Sequence, residues 1–300
     1  MGSRMDSPQG PREHYFGAEA SVLEGELELP LKQKIHPQAS ASLPEEGGYR
    51  SQKAEKYRLE SVISYSSAHT QVSGSPESQK ELGPKSKKKP GWNSLVTSVV
   101  EDLNILDVIT ADRVVAQIGI KYPLEGYIPS ITFLGSRFDN LVIGGHKVDL
   151  DLCMDLCGKK PKNGQVPYNE DDDFKGRVSK QHARLAGKGN FLTELFERYN
   201  LLPTSFDDNA FENGKPIECS LVNQVKGEPP WDHCGHVIEV PNFGVIYLAT
   251  VRLEHSDPHP ETGVPKTTKV SLDMIHTKMG CLANGTATAA GVRSVGTTHP

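Results

Sequence analysis

Apolar and polar residues alternate with a period of two along much of this chain. In Leu23-Glu-Gly-Glu-Leu27-Glu-Leu29 the glutamates fall between leucines, which predicts a strand with one face in a core and one in water. The polar stretch 38–48 reads as a turn-rich loop, Tyr57 to Tyr65 as a second long strand, and residues 73–91 as a long exposed loop around Lys85-Ser-Lys-Lys-Lys89. Leu95 to Leu106 and Val108 to Ile118 are rich in β-branched residues and read as strands, as does Ile131 to Leu134. Leu141 to Val148 predicts a hairpin turning at Gly144-Gly145, because two-residue turns require positive φ. Val148, Leu150, Leu152, Met154 and Leu156 then alternate with Asp and Cys, predicting a strand through Cys157. From Asp171 the period lengthens to about four: Phe174, Val178, His182 and Leu185, then Leu192, Leu195, Phe196 and Tyr199, predict two short helices near 171–202. Strands return at His236 to Val240 and Val245 to Glu254 around the turn Pro241 to Gly244. In Lys269 to Met279 the inward phase changes between Met274 and Ile275, which reads as a β-bulge. Residues 284–300 are small and polar.

These elements predict a mainly β fold, an antiparallel sandwich or open barrel with a two-helix insertion. The expected organisation is a disordered arm over 1–13, a β-rich half over 14–157, a helical insertion over 158–212, and a second β-rich half over 213–300 that forms one body with the first. The composition, 36 % hydrophobic and 24 % charged over 300 residues, excludes a fully disordered chain. A net charge of −5 makes nucleic acid and anionic membranes poor partners. No apolar run approaches the length of a membrane span and no apolar leader is visible, so the expected location is cytoplasmic, or secreted if a leader has been removed. Five cysteines without framework spacing read as reduced thiols. On the strand reading, Cys153 and Cys157 lie too far apart to act together.

The run Val96-Thr-Ser-Val-Val-Glu-Asp-Leu103, then Ile109-Thr-Ala-Asp-Arg-Val114, then Ile131-Thr-Phe-Leu with Leu141-Val-Ile-Gly-Gly-His146, resembles a group of bacterial β-rich proteins of unassigned function. Its strand rhythm is also similar to that of the choice-of-anchor P domains of secreted bacterial proteins. The resemblance covers roughly residues 15–150. It implies a β-sheet module of structural or surface type and brings no catalytic residues with it.

Candidate chemistry is concentrated in the C-terminal third. His233 and His236 open one strand, and His255 and His259 close its expected hairpin partner, so imidazoles at one sheet end would suit a divalent metal. Neither group has an established ligand spacing, and exposed loop histidines are the plainer reading. No cofactor is expected otherwise. The acidic residues Asp149, Asp151 and Asp155 read as a solvated strand face. Nucleophile elbows, phosphate loops and dinucleotide fingerprints are absent from the sequence. The function these features favour is that of a non-catalytic structural or self-associating protein, a homo-oligomer that binds neither nucleic acid nor membrane. The alternatives are a β module enclosing a small-molecule ligand and a metal-dependent enzyme built on the histidines.

Overall fold

The computed structural model describes residues 12–29, 32–77, 91–124, 126–158, 166–187, 189–199, 211–212, 214–227, 229–258, 265–280 and 283–299. Among the described residues strands take up 63 % and helices 11 %, which makes the fold mainly β. The amino-terminal part holds β1 (Glu13–Leu29), β2 (Gln33–Gln38), β3 (Ala41–Leu43), β4 (Gly48–Ala54), β5 (Tyr57–Leu59), β6 (Ile63–Tyr65) and β7 (Ser67–Pro76). The middle holds β8 (Trp92–Ile105), β9 (Ile109–Tyr122), β10 (Ser130–Thr132), β11 (Arg137–Asp139), β12 (Val142–Ile143), β13 (His146–Lys147) and β14 (Asp149–Leu152). Two helices, α1 (Asp172–Ala186) and α2 (Gly189–Tyr199), precede β15 (Ile217–Ser220), β16 (Val222–Lys226), β17 (His233–Cys234) and β18 (Val237–Val240). The long strands β19 (Gly244–Pro258), β20 (Pro265–Gly280) and β21 (Asn284–His299) follow.

The strands form two antiparallel sheets packed face to face. The first runs β17-β18-β19-β20-β21-β1-β2, with β15 also on β19 and β3 on β1. The second runs β13-β12-β9-β8-β6-β5, with β10 and β11 on β9, β7 on β8, and β4 on β7. β14 and β16 make a separate ribbon. Among the described residues no sheet closes into a barrel, so the sandwich alternative holds. Between the sheets, Ala18, Ala20, Leu272 and Val292 share one core with Val96, Val100, Val114 and Ile118.

The phase change at Met274 is real, but its cause is not an extra residue. Thr250 pairs with Asp273 and Leu248 with Ile275, so Ala249 and Met274 face each other one to one. The same step occurs at Met274/Ala290 and at Ala290/Val22 in the adjoining strands. All four strands therefore bend along one line, Val22–Ala290–Met274–Ala249, with register preserved. Ala249 and Ala290 take φ of 48° and 55°, a region that costs a non-glycine residue roughly 1–2 kcal/mol. At the bend two successive residues of each strand point inward (Val22 and Leu23; Met274 and Ile275), and all four are fully buried.

α1 starts at Asp171, whose Oδ1 accepts the Phe174 N–H at 2.7 Å, and buries Phe174, Val178, His182 and Leu185 as the period predicts. It closes the outer edge of β15. The Gln181 amide donates to Ser220 O at 2.8 Å and accepts from Ser220 N–H at 3.0 Å, imitating a neighbouring strand. α2 lays Leu192 and Leu195 over Val237 and Val245 on the outer face of the first sheet.

Several sequence readings are corrected. Tyr57–Tyr65 is not one strand but the β5–β6 hairpin, with Tyr57 opposite Tyr65 and Glu60 at φ 48°. The strand expected through Cys157 ends at Leu152. Residues 153–158 form successive turns, in which Leu156 N–H donates to Cys153 O and Gly158 N–H to Asp155 O, so the extended spacing of the two thiols does not apply. Within the expected loop 38–48 β3 is a strand and β4 begins at its last residue, Gly48, while β7 runs to Pro76 into the loop expected over 73–91. The small polar stretch 284–299 is β21, a central strand of the first sheet. The lysine run at 85–89 and residues 1–11 of the arm expected over 1–13 lie outside the described residues, while Arg12 donates to Leu124 O and Gly126 O and Glu13 opens β1.

Candidate functional site

The histidines that the sequence grouped do not converge. β18 is four residues long, and the chain reverses at Gly235-His236 into β17. Leu248 N–H donates to His236 O, which places His236 beside Leu248, seven residues or roughly 23 Å along β19 from His255. His233 pairs with Ile238, and Ile238 with Ile246, so His233 lies further still from His255. The remaining length of β19, where the hairpin partner was expected to continue, is taken by β15. His259 lies outside the described residues. Among the described residues no group of three His, Cys, Asp or Glu side chains is arranged to hold a metal ion.

Each placed histidine has a local setting. His255 Nε2 accepts the Tyr168 N–H at 3.0 Å, so Nδ1 carries the proton and donates to Thr268 Oγ1 at 3.1 Å. Its ring stacks on Tyr168 with 4° between planes, and the Tyr168 hydroxyl donates to Pro129 O. Burial lowers the His255 pKa to about 4. His236 is buried against the sheet, and desolvation, with His182 adding, lowers it to about 4 as well. His233 meets the edge of Trp231. His255 and His236 are thus neutral packing groups that join the segment carrying α1 to the sheet.

The bend produces a different cluster. Beside it Thr250, Asp273, Gly291 and Ser21 stand side by side on β19, β20, β21 and β1. The Asp273 side chain is more than nine-tenths buried, and desolvation raises its pKa against the pull of Arg293 and Arg252. Its Oδ1 and the Thr250 Oγ1 are both buried without a hydrogen-bond partner. Arg252 Nε donates to Glu218 at 2.6 Å and Arg293 to Glu24 at 3.1 Å, so both guanidinium groups are engaged by glutamates. A Cβ on Gly291 would lie 3.1 Å from Asp273 Oδ1 and 3.6 Å from Ser21 Oγ. Over Gly291 opens a cavity of about 70 Å³ bounded by Glu19, Ser21, Glu24, Ser40 and Arg293. On the next outward row His276 Nδ1 contacts Thr288 Oγ1 at 2.9 Å beside Tyr247.

A wider groove of about 920 Å³ separates β11 from β14. Phe138, Val148, Leu150, Leu152 and Met154 make its apolar wall, and Arg137, Asp139, Lys147 and Asp149 its charged rim. β11 pairs only with β9 and β14 only with β16 among the described residues, and residues of both strands line the groove. Arg137 Nε pairs with Asp139 at 3.2 Å along the β11 edge.

A family model described as a domain of unknown function (DUF8256) matches residues 14–254. The chain belongs to that family. No curated protein and no solved structure matches it. The DUF8256 match begins with β1 and takes in the whole groove, with Ser21 and Thr250 of the bend, while Asp273, Gly291 and Arg293 lie beyond it. No helix among the described residues of this DUF8256 chain is long and apolar enough to cross a membrane. Sequence reading missed both surfaces of this family member. Asp273 stood in the alternation as an ordinary outward residue, and Arg137-Phe138-Asp139 was too short for any period to register. The one signal present was the phase slip at Met274, which marks the bend and hence the row that contains Asp273.

Proposed function

We propose that this protein is a non-catalytic structural module that associates with a second copy of itself across the groove between β11 and β14. The observation that carries the reading is the self-complementary edge of β11. If two such edges pair antiparallel about Phe138, Arg137 of each faces Asp139 of the other and the two phenyl rings meet, as cross-strand pairs favour. The flanking leucines and Met154 supply apolar surface of the kind that interface centres bury. A short strand bearing charge is also how a sheet protects an edge, so the same residues must be tested for attraction rather than avoidance. The strand rhythm that resembles surface modules of bacterial proteins supports a role of this type.

Sedimentation velocity of the full chain over a range of concentrations tests it. The wild type is expected to dimerise, R137E and D139R each to shift toward monomer, and the R137E/D139R double variant to regain the dimer. A wild type that stays monomeric, or single variants that dimerise as well as the wild type, would remove the proposal.

A further inference from the structure

We propose that Met154 is a modification site, at which oxidation of the thioether to a sulfoxide by hydrogen peroxide weakens association across the groove. The inference rests on the groove being the contact between copies and adds a chemical control of it.

The sequence has five methionines. Met274 and Met279 are fully buried, and Met1 and Met5 lie outside the described residues. Among the described residues Met154 is therefore the one methionine that is only partly buried, and it lines the groove. Its backbone is pinned there. Cys153 N–H donates to Leu221 O at 2.6 Å and Leu156 N–H to Cys153 O at 3.2 Å, with Leu156 fully buried just beyond. The side chain thus stays on the apolar wall with Val148, Leu150 and Leu152.

A thioether suits such a wall because it is apolar and adapts its shape to a partner. A sulfoxide is polar and does not. The oxidation balances with peroxide alone: a sulfur lone pair forms the new S–O bond, the O–O bond breaks, and the departing oxygen leaves as water. Sulfur is oxidised and the peroxide reduced. Seated between two copies, the added oxygen would lie beside Val148, Leu150 and Leu152, none of which has a side-chain donor to offer it. Linkage makes the effect reciprocal, so association also shields Met154 from the oxidant. The neighbouring Cys153 competes poorly for peroxide, because burial, with Asp155 adding, raises its pKa and keeps it a thiol.

The full chain is treated with graded hydrogen peroxide, and peptide mass spectrometry locates the added oxygen. Sedimentation velocity is then run in dithiothreitol, which reverses thiol oxidation and leaves the sulfoxide. Met154 is expected to be oxidised ahead of Met274 and Met279, and the dimer dissociation constant to rise at least about tenfold. Methionine sulfoxide reductase is expected to restore the dimer. Met154→Leu, apolar and inert to peroxide, is expected to dimerise and to keep doing so after treatment. Should that variant fold poorly, rescue by the reductase carries the same conclusion. A dimer of unchanged strength with Met154 fully oxidised, a Met154 no more reactive than Met274, or a folded Met154→Leu dimer equally weakened by peroxide would overturn this inference and leave the groove reading in place. An untreated wild type that is monomeric would instead remove the groove reading, and this inference with it.

Discussion

Burial disfavours the charged form of His255, so the ring resists protonation until about pH 4, and protonating it removes the acceptor for the Tyr168 N–H. His14, His236 and His276 are lowered to about the same value, mainly by burial. In the unfolded chain these rings titrate near 6.5, so between pH 6.5 and 4 the unfolded state binds more protons than the native state. Stability is then fully present above about pH 6.5 and falls as the pH drops toward 4. For the two most buried rings, His236 and His255, the loss is about 3 kcal/mol each over that interval. Urea unfolding measured at pH 7, 6, 5 and 4.5 is expected to show a monotonic decline. A flat profile would mean that these rings are solvated. At the same scale, Asp171→Ala removes the cap of α1 and is expected to cost about 1 kcal/mol, read by the same denaturation.

The bend line and the helix-covered edge are properties of elements. Ala290 holds φ 55° with its methyl group fully buried, and a β-branched side chain tolerates neither condition. Ala290→Val is therefore expected to destabilise the protein by at least about 2 kcal/mol, whereas the same change at an ordinary inward strand position costs less. Gln181→Ala strips both imitation ladder bonds from Ser220 and is expected to cost about 1–3 kcal/mol and speed amide exchange there. Unchanged protection at Ser220 would show that the helix backbone alone shields this edge. Elements with strong apolar periods were legible in the sequence: β8, β9, the Gly144-Gly145 hairpin and both helices. Segments whose period was muted were not. β4 is almost wholly exposed and has no inward set to alternate, and β21 faces the core with Ala287, Ala289 and Ala290, which carry little hydrophobic signal. The histidine grouping failed for a related reason, because nothing in the residues announced that β18 would stop after four positions and yield its place to β15. Asp273 could not be singled out, since its isolation depends on what three other strands bring beside it.

At the scale of the molecule, the first sheet is held by its latest strand. β21 lies between β20 and β1, pairing with one at Leu272↔Val292 and with the other at Ala20↔Val292. A fragment cut at the boundary of the family match, residues 14–254, would lose β20 and β21 and leave β1 and β19 with open inner edges. It is expected to be insoluble or unfolded by circular dichroism, while residues 12–300 fold. The same topology sets an order of events. β1 pairs with β21 from Glu13↔His299 to Leu29↔Asn284, so the strand of this sheet that is made before the others pairs along one edge with the strand made after them. β2 and β3 cover one edge of β1 soon after it is made, but for most of translation its other edge, the one β21 covers, stays open, and contacts of such sequence separation are slow to form. During synthesis this protein would therefore depend on holdase chaperones that shield an exposed strand, and its yield in cells would track their supply more closely than its equilibrium stability.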